Sequence, residues 1–180
     1  MTSSVYSQCQ SSLLRAKAGL DVLHHRKAIT EDTVRAIRAK RRTSDVAMQA
    51  VFEELRHAFI TPIDREDLLR LRQTIEAVVF CIDEVLIALF YQGRPTLHPN
   101  DTALLSAVTA EFTALQAVVD FFPDYPRCDA VLGHLKTLEK QHRQCEEERG
   151  SNFGEPALKK ISAACFSAAE TIRCILLKVT

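Results

Sequence analysis

The chain predicts an all-α fold, a six-helix bundle built from two groups of three helices, and three observations carry that prediction. Glycine and proline number only 5 and 6 in 180 residues, too few for the turns that many short strands require. Apolar residues recur at spacings of three and four along six separate stretches. The sharpest interruption, QGRPTLHPND, falls between the third stretch and the fourth. It divides a single domain, 1–180, into halves of about 1–92 and 100–180, the pattern of a duplicated unit.

The first helix runs from about Ser4 to Lys27, with Leu13, Leu14, Leu20 and Leu23 as its apolar side. A second begins after Thr30, whose hydroxyl can cap it, while Glu31 and Asp32 suit the positive end of a helix dipole. Its stripe, Val34, Ile37, Arg41, Asp45, Met48, Phe52, Leu55 and Phe59, is apolar except for two opposite charges. The third helix carries Leu68, Leu71, Ile75, Val78, Val79, Ile82, Leu86 and Leu89 up to Tyr91. Asp101 is placed to cap the fourth, which presents Leu104, Leu105, Val108, Phe112, Leu115 and Val119 and stops at FFPDYP, because Pro123 and Pro126 cannot continue it. A fifth spans about Arg127 to Arg149. After GSNFGEP the last helix carries Ile161, Cys165, Ala168, Ile172, Ile175 and Val179.

Composition narrows the function classes. The 23 basic and 23 acidic residues cancel, so no global field recruits nucleic acid, and only a local patch can attract a polyanion. Six cysteines, Cys9, Cys81, Cys128, Cys145, Cys165 and Cys174, show no CxxC spacing, and four lie in apolar helical patterns, which points to reduced thiols and a cytoplasmic location. The N-terminus lacks a basic start followed by an apolar block. The most membrane-like stretch, AVVFCIDEVLIALFY, holds Asp83 and Glu84 at its centre, where an acid costs about 2.5 to 3.5 kcal/mol in a spanning helix, so it reads as a buried bundle helix. No GxSxG elbow or glycine-rich phosphate loop occurs, and no enzyme is expected.

The run FITPIDREDLLRL, Phe59 to Leu71, joins the second helix to the third. Thr61 can cap, Pro62 fits a first turn, and Asp64, Arg65, Glu66 and Asp67 follow with acids suited to the helix start. Standing after ELRHAF, this string resembles the signature of the PhoU-like family, specifically the phosphate transport regulator branch associated with Pit-type phosphate transporters. The resemblance covers about Glu31 to Phe90 and, in the second half, the helix order and the final IRCILLK. It implies an antiparallel bundle of two three-helix repeats and an intracellular, non-enzymatic regulatory or accessory protein of inorganic phosphate transport that acts by protein-protein binding. It also implies iron or zinc clusters held by acid-x-x-x-acid pairs on the bundle helices.

Such spacing sets two oxygen donors one turn apart on one face, and this chain departs from it. The matching positions are Arg41 and Asp45 in the second helix, Glu76 and Phe80 in the third, and Glu139 and Arg143 in the fifth; small residues stand around Ala163 and Ser167 in the last. Asp45, Glu76 and Glu139 are thus remnants, and no metal or other cofactor is expected. Arg41 with Asp45 and Glu139 with Arg143 are spaced for intrahelical ion pairs worth about 0.3 to 0.5 kcal/mol if exposed.

The alternative is a ferritin-like di-iron carboxylate protein using Glu54 with His57 and Glu139 with His142, two Glu-x-x-His pairs. RAIRAKRR places Arg35, Arg38 and Arg42 on one face, a basic docking surface for an acidic transporter loop or anionic headgroups. The partner expected from the resemblance is a phosphate transporter or its regulatory partner, with peripheral membrane association through it. A homodimer is compatible with a bundle of this kind. His24 and His25, adjacent on a helix, point about 100 degrees apart and read as surface residues.

Overall fold

The computed structural model describes residues 2–25, 28–57, 63–94, 96–123 and 128–179, without side chains for Thr2, Ser3, Glu54, His57 and Cys128 among these. Six α-helices make up the fold: α1 (Thr2–His24), α2 (Glu31–His57), α3 (Arg65–Tyr91), α4 (Thr102–Phe121), α5 (Cys128–Glu147) and α6 (Gly154–Val179). A 3-10 turn, Pro99–Asp101, precedes α4. Helices α3 and α6 pack on each other, α1 lies on α3 and α4, and α4 lies on α6. The remaining two are peripheral: α2 rests on α3, while α5 rests on α4 and α6. The halves therefore use corresponding pairings, but α5 is held by both of its neighbours, whereas α2 leans on α3 and barely meets α1.

The helix ends follow the local chemistry. Thr30 caps α2 as its sequence suggests, with its Oγ1 accepting from Thr33 N at 3.3 Å. At the far end of α3, Gly93 adopts φ 63°; Arg94 N reaches Leu89 O at 2.9 Å and Gly93 N reaches Phe90 O at 3.0 Å. That is a Schellman closure, which glycine makes without a Cβ penalty. Asp64 rather than Thr61 stands immediately before α3, with φ −55° and ψ 137° and no side-chain cap bond. Phe59, Thr61 and Pro62 lie outside the described residues.

Asp101 does more than end a turn. It is 1% exposed, and its carboxylate accepts from His98 N at 3.1 Å, from Ser151 N at 2.6 Å and from Ser151 Oγ at 2.9 Å. It makes no side-chain cap bond to α4 itself. The bonds instead tie the entry of α4 to the loop that starts α6, fifty residues away. Gly154 lies so close that an added Cβ would stand 2.1 Å from the carboxylate.

The core stripes of α3, α4 and α6 are those expected. Two others shift. On α1 the buried line is Val5, Tyr6, Cys9, Leu13, Ala16, Leu20 and Leu23, while Leu14 is 65% exposed. On α2 it runs through Val34, Ile37, Ser44, Val51 and Leu55, leaving Asp45 exposed and Phe52 50% exposed. The cause is Ser44, whose hydroxyl finds a carboxylate inside the bundle and so can be buried. Among the described residues, the helix long and apolar enough to cross a membrane is Pro99–Phe121 rather than the third; its mean hydropathy is 1.4 and 56% of it is buried in the bundle.

Candidate functional site

Arg35, Arg38 and Arg42 line a surface depression of about 430 Å³ together with Glu31, Val34, Phe90 and Tyr91. The helical spacing of α2 puts the three arginines on one flank, and the last turn of α3 supplies the aromatic wall. Arg38 donates to Tyr91 Oη at 2.5 Å and sits 5.9 Å from the ring centroid. Arg35 pairs with Glu31 at 3.1 Å and Asp32 at 3.5 Å, all three more than 70% exposed. Such pairs are worth about 0 to 1 kcal/mol, so the arginine stays available to an acidic partner.

On the opposite flank of α2 the charges turn inward. Arg72 of α3 is 2% exposed. Its Nη1 donates to Glu76 Oε2 at 2.8 Å, its Nη2 to Ser44 Oγ at 3.3 Å and its Nε to Gln8 Oε1 at 3.5 Å. Glu76 also accepts from Arg15 Nη2 at 2.5 Å, Ser12 Oγ at 3.1 Å and Ser44 Oγ at 2.7 Å. Burial opposes its charge, yet the bonds from Ser44 and Arg72 and the positive field of Arg15 prevail, lowering its pKa to about 2. The position that the sequence marks as half of a metal pair is thus a carboxylate clasped by two guanidiniums.

One turn further, Arg41 does not pair with Asp45. It crosses to α3, reaching Asp83 Oδ2 at 3.4 Å and Glu84 Oε1 at 3.0 Å, with its guanidinium 4.3 Å from the Phe80 ring centroid. Two acids on α3 offer it a second-helix partner that Asp45 cannot match. Burial raises the Asp83 pKa, outweighing the fields of Arg15 and Arg41.

In the second half, Glu139 bonds Arg173 of α6 rather than Arg143. His142 turns the other way: its Nδ1 lies 3.1 Å from Glu111 Oε1 and 3.0 Å from Ser162 Oγ, and its ring stacks on Phe166 at 4.2 Å. Glu139 and His142 therefore do not converge, which removes the geometry that a di-iron pair needs. Glu54 and His57 carry no described side chains. Glu111, fully buried and bonded by Ser162, has its pKa raised by burial. The same burial, with Glu111 alongside, pushes the Cys145 thiol up to about 12, far from the range of a nucleophile. Ala163 and Ser167 are exposed. Among the described residues, no three His, Cys, Asp or Glu side chains gather where they could hold a metal ion.

Of the charged residues at the start of α3, Asp67 is buried and accepts from Lys178 Nζ at 2.8 Å, linking the first turn of α3 to the last turn of α6; Asp64, Arg65 and Glu66 are exposed. His24 is half-buried rather than a surface residue, with Nε2 2.7 Å from Thr109 Oγ1. Apolar spacing alone does not single out this polar interior, although its signal is in the sequence: Arg72 and Glu76 stand one turn apart within the apolar stripe of α3.

No protein-family model matches the chain, and no curated protein matches it. Among solved structures, it is similar to the crystal structure of a PhoU-like protein from Shewanella oneidensis MR-1, with a TM-score of 0.58 and 13% identity over 99% of this chain and 96% of that chain. The fold is therefore a PhoU-like all-α bundle along essentially the whole chain.

Proposed function

We propose that this protein is a non-enzymatic regulatory or accessory protein of inorganic phosphate transport, acting from inside the cell by binding a protein partner. The observation that carries the reading is a full-length PhoU-like fold in which a basic and aromatic face, Arg35, Arg38 and Arg42 beside Phe90 and Tyr91, stands open on α2. Guanidiniums in a fork geometry suit carboxylates, and an aromatic wall adds apolar area to such a contact.

The partner of the proposal is a phosphate transporter of the Pit type, or a regulatory protein attached to it, offering an acidic loop. Membrane association is then peripheral and indirect. The metal clusters of the family are lost in this reading: Arg41 and Arg143 occupy acid positions, Glu76 and Glu139 are spent on arginines of other helices, and Asp45 stands exposed.

Capture from the membrane fraction tests it. Tagged wild-type protein should recover a phosphate-transport protein, and the Arg35→Glu, Arg38→Glu, Arg42→Glu variant should lose it. Recovery of the same protein by both, or of no phosphate-transport protein by either, would reject the reading.

A further inference from the structure

Two adjoining cavities of about 280 and 230 Å³ run between α1 and α2 above α3, and Arg15 and Lys40 line both. They exist because α2 leans on α3 and leaves α1 nearly untouched along this flank. The smaller is walled by hydroxyls, Ser11, Ser12, Thr43 and Ser44, and by the buried Arg72. The Arg15 Nη1 contact to Lys40 O, 3.5 Å, spans the opening.

The charges here do not balance. Arg15, Arg41, Arg72 and Lys40 face Glu76, Asp83 and Glu84, leaving one positive charge over. Lys40, exposed at the mouth, supplies that excess; further in, the Arg15 and Arg72 side chains, 18% and 2% exposed, share the single carboxylate of Glu76. An under-compensated charge at such a depth is costly unless an anion completes the set. Donors are also in surplus. A guanidinium has five N–H groups; Arg72 uses three and Arg15 two, and Arg15 Nε is buried with no acceptor.

We infer that the α1–α2 groove is a binding site for a tetrahedral oxyanion of the phosphate type, held by Arg15, Lys40 and Arg72 with the hydroxyl of Ser11. Arginine donors match the oxygen edges of such an anion and the Ser11 hydroxyl can donate to a remaining lone pair, while Ser12, Thr43 and Ser44 already donate to Glu76 or to Ala39 O. Glu76 fixes both guanidiniums in place beforehand, so little ordering remains when the anion enters. Lys40, exposed at the mouth, adds the last positive charge. The site lies on the flank of α2 opposite to Arg35, Arg38 and Arg42, and it stands whether or not that face docks a transporter.

Calorimetric titration with inorganic phosphate, and separately with glycerol 3-phosphate, tests the inference. Saturable binding of either below about 10 mM is expected. Phosphate binding identifies a site for the free ion, and binding of the ester alone identifies a phosphoryl group on a larger ligand. Lys40→Glu, an exposed change that leaves the interior intact, should weaken binding by about tenfold or more, and Lys136→Glu on α5 should leave it unchanged. Arg72→Gln, checked for helicity, should abolish it. No binding of either probe, or binding that Lys40→Glu leaves intact or Lys136→Glu weakens equally, overturns the inference.

Discussion

Replacing Glu76 with glutamine keeps the shape of the side chain and removes the charge shared by the buried guanidinium of Arg72 and the half-buried one of Arg15. The carboxyl pKa falls from 4.5 to about 2 on folding, and each tenfold change in proton affinity is about 1.36 kcal/mol. Ionisation of Glu76 thus contributes roughly 3 kcal/mol at neutral pH, somewhat less after screening of a side chain that is 23% exposed. Because the folded pKa is depressed, this stability is present above pH 4.5 and is lost as pH falls through about 2. Asp83 and Glu111 oppose it, since their raised pKa values let the native state hold protons that the unfolded chain releases. Comparison of Glu76→Gln with wild type isolates the one contribution from the other two. Urea unfolding at pH 7 should show a loss of roughly 2 to 3 kcal/mol, and a Tm lower by roughly 4 to 12 °C. Between pH 4.5 and 2 the difference should shrink. A loss under about 1 kcal/mol, or a difference that does not change across that acid range, would refute the shared-carboxylate account.

Other outcomes follow from the same geometry. Gly154→Ala drives a Cβ into an Asp101 carboxylate that Ser151 and His98 hold in place, so a thermal melt should show a loss of about 1 to 3 kcal/mol. Iodoacetamide should label Cys174 in the native protein, whereas Cys9, Cys81, Cys145 and Cys165, all buried, should react only after denaturation; mass spectrometry reads the pattern. Elemental mass spectrometry of protein purified without chelator should find less than about a tenth of an equivalent of iron or zinc. A stoichiometric metal lost on Asp45→Ala with Glu139→Ala would show that the surviving acids still build a site.

The sequence reveals the helices because an apolar stripe at helical spacing is a local signal, and α3, α4 and α6, packed against several neighbours, display it fully. On α1 and α2 the stripes mislead. Leu14 and Phe52 continue the apolar spacing yet stay exposed, while Ser44 breaks it and is buried. Hydropathy cannot register a serine whose burial depends on a carboxylate from another helix. The ion pairs were misread for the same reason. Spacing within one helix offers Asp45 to Arg41 and Arg143 to Glu139, but Asp83 of α3 and Arg173 of α6, invisible to local spacing, compete and win. The basic flank of α2 was legible because three arginines repeat along one helix. Its aromatic wall, Tyr91, comes from a residue fifty-three positions away from Arg38. The interior pair Arg72 and Glu76 stands at one-turn spacing in the sequence, and only the partners from α1 and α2, Ser12, Arg15 and Ser44, explain why these charges turn inward.

Phosphate uptake in cells is the most direct test of the proposed role. Loss of the gene should alter the rate of labelled phosphate entry, wild-type protein should restore it, and the Arg35→Glu, Arg38→Glu, Arg42→Glu variant, folded and equally abundant, should not. Uptake that is indifferent to the gene, or restored equally by the variant, would contradict a regulator that works through the basic face of α2.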